Sequence, residues 1–471
     1  MVTVTKAAAS AIHMDYNRAY VWTISLVAAL GGLLFGYDWV VIGGAKPFYE
    51  KFFHLTTPGQ QGWAMSCALV GCLVGALVSG ALTGRFGRKR LLVSAALLFA
   101  LSSIGTGLAS VFGAFVAWRM AGGVAIGLAS NLSPMYIAEV SPAPLRGKLV
   151  SMNQLTLVVG ILLAQFMNWL IARPIPGNFT AVDILNSWNG QMGWRWMFGV
   201  TAVPSILFFI GMLGVPESPR WLAQHGKPGP ARRILEKIGG GDYASQALAE
   251  IESSLGQQRE TYGRRGLFEP KMAKVLMLGV VLAVFQQWCG INVIFNYAED
   301  IFAAAGYNVS STLFNIVITG AVNLLFTIVA VTLVDRVGRR LLLLGGAAGL
   351  AVIYTLLGAG YHAGHQGLPM LLLVVAAIAC YAMSLAPVTW VVISEIYPNR
   401  VRGEAMSLAV TSLWVACFAL TYTFPFLMNA AGAAGTFWIY ASICVAGFTF
   451  IYLRLPETKG KTLEGIEGLW R

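Results

Sequence analysis

The chain has 471 residues, of which 57% are hydrophobic and only 11% charged, with a formal net charge of +12. A soluble domain carries about 25% charged residues, so this composition excludes an ordinary water-soluble protein. The basic excess gathers between apolar runs on one side of a membrane, and no nucleic-acid surface is read into it.

The opening stretch "MVTVTKAAASAIHMDYNRAY" is too polar for a cleavable signal peptide. Twelve apolar runs follow, at 22–45, 62–83, 90–111, 113–137, 150–171, 194–214, 273–304, 310–334, 340–361, 369–394, 402–430 and 434–455. Each can cross a hydrocarbon core of about 30 Å. The expected fold is an all-α membrane protein of twelve transmembrane helices. With both termini inside, Lys46, Lys51, Arg173 and Arg195 fall outside and Arg119 lies within a run, which leaves 27 of the 32 Lys and Arg inside. That asymmetry places both termini in the cytoplasm. All six cysteines fall within apolar runs, with neither disulfide nor metal spacing.

The first run, which ends in "GGLLFGYDWVVIGGA" at 31–45, holds one charge, Asp38. The fourth holds Arg119, followed by Gly123 and Gly127 at a spacing that lets helices approach closely. A charge at the bilayer centre costs roughly 2.5–3.5 kcal/mol on insertion scales and marks a functional site by default. Two opposite charges in one half are expected to pair. An arginine that moves would then switch the acid between holding and releasing a proton. The seventh run carries the amides Gln286, Gln287 and Asn292, whose donors and acceptors suit a hydroxyl that both gives and takes. Gln286 and Gln287 differ by about 100° around a helix, and Gly290 makes a break there plausible. Gln154, Asn323, Trp390 and Trp414 lie well inside other runs.

The two halves repeat. "GRFGRKR" at 84–90 answers "DRVGRR" at 335–340, and "AEVSPAPLRGK" at 138–148 answers "SEIYPNRVRGEA" at 394–405. This is the mark of an internal duplication with a site at the interface of the repeats. The expected organisation is a six-helix half over 1–214, a cytoplasmic helical linker over 215–272, a second six-helix half over 273–455 and a cytoplasmic tail over 456–471. No nucleophile–base set or metal motif marks an enzyme. "KGKT" at 459–462 lacks the glycine a phosphate loop needs at 455, which is Leu455.

Together with "PESPRWL" at 216–222, "QQWCGINVIFNY" at 286–297, "PVTWVVISEIYPNRVRG" at 387–403 and "PETKGKTLEGIE" at 456–467, these motifs stand in the order of a known family. The chain resembles the sugar porter family of the major facilitator superfamily, which includes xylose–proton symporters and facilitative glucose transporters. The resemblance implies two pseudosymmetric six-helix halves. It implies sugar contact at Gln154, Gln286, Gln287, Asn292, Asn323, Trp390 and Trp414. It also implies gating ion pairs at the cytoplasmic helix ends, among Arg88, Glu139, Arg146, Glu217 and Arg220 in the first half and Asp335, Arg339, Glu395, Arg402 and Glu457 in the second. Proton-coupled members carry aspartate where this chain has Asp38, and facilitative ones carry asparagine. Leu413 and Asn296 depart from the family's usual residues and bear on which sugar is taken.

The expectation is therefore a proton-coupled hexose or pentose symporter of the plasma (inner) membrane, working by alternating access as a monomer. Its partners would be a small sugar, protons and the lipid bilayer, with no cofactor, metal or nucleic acid. The alternatives are a facilitative uniporter, a proton-coupled polyol or myo-inositol transporter, and a sugar sensor that transports nothing.

Overall fold

The computed structural model describes residues 16–176, 179–261, 270–397 and 402–457. Among them, eleven helices are long and apolar enough to cross a membrane. The first half of the chain supplies α1 (Arg18–Phe52), α2 (Pro58–Phe86), α3 (Arg88–Leu108), α4 (Phe112–Val140), α5 (Ala143–Ile171) and α6 (Asn189–Gly214). A polar helix α7 (Pro228–Thr261), kinked at Gly239 and Gly240, follows.

The seventh crossing is in three pieces, α8 (Pro270–Trp288), α9 (Ile291–Asn296) and α10 (Ala298–Ala304). The chain then forms α11 (Val309–Val337), α12 (Arg339–His362), α13 (Leu368–Met383), α14 (Leu385–Ile396) and α15 (Arg402–Arg454). α15 is 53 residues long and departs from helical geometry at Gly432 (φ 65°, ψ −179°), so it makes two crossings and brings the total to twelve. This is the expected architecture. The helices overrun the apolar runs, α1 by four residues at its start and seven at its end, because a helix does not stop where the hydrocarbon does.

Glycine brings the key helices together. A methyl group on Gly123 of α4 would stand 2.0 Å from the Ala68 carbonyl oxygen of α2, and one on Gly71 would stand 2.1 Å from that of Met120. α1 meets α5 in the same way: methyls on Gly36 and Gly160 would lie 1.9 and 2.0 Å from the carbonyl oxygens of Leu157 and Leu33. No side chain fits at these four positions, and close backbone packing is what small residues give in a membrane. These contacts fix the helices that carry Asp38 and Arg119.

The chain has a basic end, where α3 and α12 begin, and an opposite end, where α1 runs into α2. α3 and α12 each begin after a glycine at positive φ, Gly87 (88°) and Gly338 (106°). Glycine adopts that conformation without the steric cost other residues meet.

Candidate functional site

Asp38 and Arg119 are 5% and 4% exposed and form the pair expected of them. Arg119 Nη1 donates to both carboxylate oxygens, at 2.8 and 2.9 Å, and Nη2 reaches the Asp38 carbonyl oxygen at 3.5 Å. One nitrogen serves both oxygens, in place of the two-nitrogen fork that makes such pairs strongest. Arg119 Nε has no hydrogen-bond partner among the described residues. The guanidinium stands 5.3 Å from the centre of the Phe198 ring, a favourable place for a cation. A cavity of about 10 Å³, near the size needed for one water, is lined by Asp38, Arg119, Trp39, Cys72 and, from the second half, Asn296. The pair therefore lies at the seam between the halves.

The helix break falls at Gly290, as expected. Gly290 takes the left-handed conformation (φ 87°, ψ −6°), and α9 restarts at Ile291. The break lets three amides meet: Gln286 Nε2 donates to Tyr381 Oη at 2.7 Å, Gln287 Nε2 donates to Gln286 Oε1 at 2.5 Å, and Asn292 Nδ2 donates to Gln287 Oε1. All three are nearly buried. Gln286 and Gln287 thus join one hydrogen-bonded chain although they are neighbours in sequence.

Trp414 of α15 lies 6.0 Å from Trp39 and 5.9 Å from Phe35 of α1, ring centre to ring centre, so it too sits at the seam. Asn323 is buried, while Gln154 and Trp390 are half-buried in α5 and α14. Tyr381, Phe35 and Trp39 escape sequence reasoning because an aromatic residue in an apolar helix carries no pattern of its own. Trp39 had one available signal, its place beside Asp38.

At the basic end the duplication recurs in detail. Glu217 Oε1 accepts from the backbone N–H of Arg88 at 3.0 Å and Lys89 at 3.1 Å. Glu457 accepts from the backbone N–H of Arg339 at 3.1 Å and Arg340 at 3.0 Å. Each carboxylate satisfies free donors at a helix start, where its charge also suits the helix dipole. Arg88 then pairs with Glu139 at 2.8 Å and Arg339 with Glu395 at 3.3 Å. Ser218 Oγ donates to Glu139 at 2.5 Å. Arg146 is exposed and Arg220 half-buried, and neither is in an ion pair among the described residues. Asp335 and Arg402 stand outside the residues whose side chains are described.

A family model described as "Sugar (and other) transporter" matches residues 24–470. The chain belongs to the sugar transporter family. It is 39% identical over 490 residues to the D-xylose-proton symporter of Escherichia coli K12, covering 98% of this chain and 97% of that one. It is likewise 39% identical over 461 residues to the arabinose-proton symporter of Bacillus subtilis 168, again covering 98% and 97%. Its structure matches the inward open conformation of the xylose transporter XylE from E. coli with a TM-score of 0.84 at 38% identity, covering 96% of this chain and all of that one. Membership of the sugar transporter family makes this protein a multi-pass membrane transporter and not an enzyme.

Proposed function

We propose that this transporter carries a sugar, a pentose foremost, together with a proton by alternating access. In this reading the halves over 1–214 and 273–455 rock about the seam, and 215–272 links them. The basic end faces the cytoplasm with both termini, and the opposite end faces outward. One chain carries both halves, so a monomer holds a whole pathway. The pentose is favoured by two relatives at 39% identity that are named for xylose and arabinose.

Asp38 is the proton site and Arg119 its switching partner. The linked amides Gln286, Gln287 and Asn292, with Trp414, Trp390, Asn323 and Gln154, hold the sugar. The observation that carries the reading is the buried Asp38–Arg119 pair at the seam, one residue from a tryptophan that touches Trp414. A proton drives a sugar uphill only if the two states of the protein bind it differently. An acid paired within one half but lining a cavity that Asn296 of the other half helps to close meets that need, because rocking changes its surroundings. Gln286 and Gln287 spend their hydrogen bonds on each other and on Tyr381 here, and exchanging these for sugar hydroxyls gives binding at little net cost.

The test is Asp38→Asn in proteoliposomes. Proton-driven accumulation of xylose and arabinose is expected to vanish while sugar-for-sugar counterflow persists. Asp38→Asn that still concentrates sugar on an imposed proton gradient would overturn the assignment and leave the pair a structural one.

A further inference from the structure

Lys46 stands just past the first apolar run and reads from sequence as a loop charge. The helix continues through it, and Lys46 is 4% exposed. Its ammonium lies 2.7 Å from Asp300 Oδ1, 3.2 Å from Glu299 Oε2 and 3.5 Å from Glu50 Oε2. Lys46 and Glu50 are one turn apart on α1, in the first half. Glu299 and Asp300 open α10, in the second. The ammonium also lies 5.9 Å from the centre of the Tyr297 ring. That tyrosine donates its hydroxyl to the Thr421 carbonyl at 2.7 Å and packs at 4.4 Å on Phe424 of α15. One buried cation therefore joins α1 to two elements of the other half.

The backbones are close at the same place. A methyl on Gly43 would stand 2.9 Å from the carbonyl oxygens of Phe295 and Asn296. Further contacts cross the seam at this end: the Ile175 N–H donates to Ser310 Oγ at 2.9 Å, and Trp169 lies 5.8 Å from Phe314.

We propose that Lys46, Glu50, Glu299 and Asp300 form an electrostatic latch that holds the outer end shut and breaks each time that end opens; the proposal rests on the alternating-access reading above. The sign of the charges gives the latch its leverage. Without the ammonium, Glu50 faces Glu299 and Asp300 across the seam, and attraction becomes repulsion between like charges. The acids have somewhere to go. The Asp300 side chain is 31% exposed, and Glu299 lines a surface cleft of about 130 Å³. On opening they hydrate at once, which keeps the cost of separating buried charges within reach of a cycle. The latch also touches the sugar-bearing segment. Tyr297, beneath Lys46, joins α10 directly to α9, which carries Asn292.

The test is the distance between spin labels at Thr56→Cys and His365→Cys, exposed positions in the first and second halves at the outer end. Measurements are made on the full chain in nanodiscs, with and without xylose. Lys46→Gln is expected to lower the ratio of outer-closed to outer-open populations at least tenfold. Adding Asp300→Asn to it should recover part of the loss by removing one repelling acid. Asp300→Asn alone, which leaves Lys46 paired with Glu299 and Glu50, should give a smaller opening and serves where Lys46→Gln fails to fold.

A wild type that shows two distances, with both single variants matching it, would overturn the latch and leave alternating access standing. A wild type with one distance under every condition would overturn both.

Discussion

At the end proposed to face outward, Lys46 reaches from one half of the molecule to Glu299 and Asp300 of the other. At the basic end, proposed to face the cytoplasm, Arg88–Glu139 and Arg339–Glu395 each join residues of the same half. The same kind of bond therefore does two jobs. These two pairs each brace one half and move with it. A pair across the seam is made in one state and broken in the other. The family resemblance casts the cytoplasmic charges as latches of the outward-open state, and a structure whose outer end is closed is the one in which they have no call to bridge the halves.

The difference gives predictions in order of size. Removing a brace should cost stability and leave the outer label distance unchanged, the reverse of what removing Lys46 does. Arg88→Met leaves the Glu139 side chain, 11% exposed, without its cation. Breaking a buried pair in this way costs about 3–5 kcal/mol, visible as a large fall in melting temperature in detergent. Arg339→Met should cost less, about 1 kcal/mol, since its partner Glu395 is 23% exposed and the contact longer. Equal losses in the two variants would show that the repeats differ less than their burial implies.

Next come the helix-start carboxylates. Glu217→Gln and Glu457→Gln each replace charged acceptors by neutral ones at two backbone N–H groups. Each should lose about 1 kcal/mol of stability, with sugar affinity measured by calorimetry unchanged. A change in affinity would make them gate parts and not braces.

The smallest effect sharpens the outer end. Raising salt from 0.1 to 1 M shortens the screening length from about 10 to about 3 Å. It should loosen the partly exposed Asp300 arm and shift the wild-type outer distance modestly toward open. The buried Arg88–Glu139 brace should not respond, so melting temperature should track salt far less than the label distance does.

Much of this was legible in the sequence. Twelve apolar runs gave twelve crossings, and two lone charges in apolar helices gave the Asp38–Arg119 pair, since burial leaves such groups little choice but each other. Gly290 announced the break in the seventh crossing. The second break, at Tyr297, was silent, because "NYAED" holds neither glycine nor proline. Lys46 was misplaced for a physical reason. Hydropathy ends a span where charges gather, here at Lys46, Glu50 and Lys51, whereas α1 runs on to Phe52 with Lys46 buried inside it. Glu217 and Glu457 were legible as members of a charged motif, but their bonds to backbone donors depend on where a helix begins, which composition does not reveal.

Asp38 and Arg119 belong to the first half, while the linked chain Asn292–Gln287–Gln286–Tyr381 belongs wholly to the second. In the proposed reading fuel and cargo are thus largely housed in separate bodies, between which the rings of Phe35, Trp39 and Trp414 meet at the seam. Such a division lets evolution, or an engineer, exchange what is carried by rewriting one body while the engine in the other is left alone.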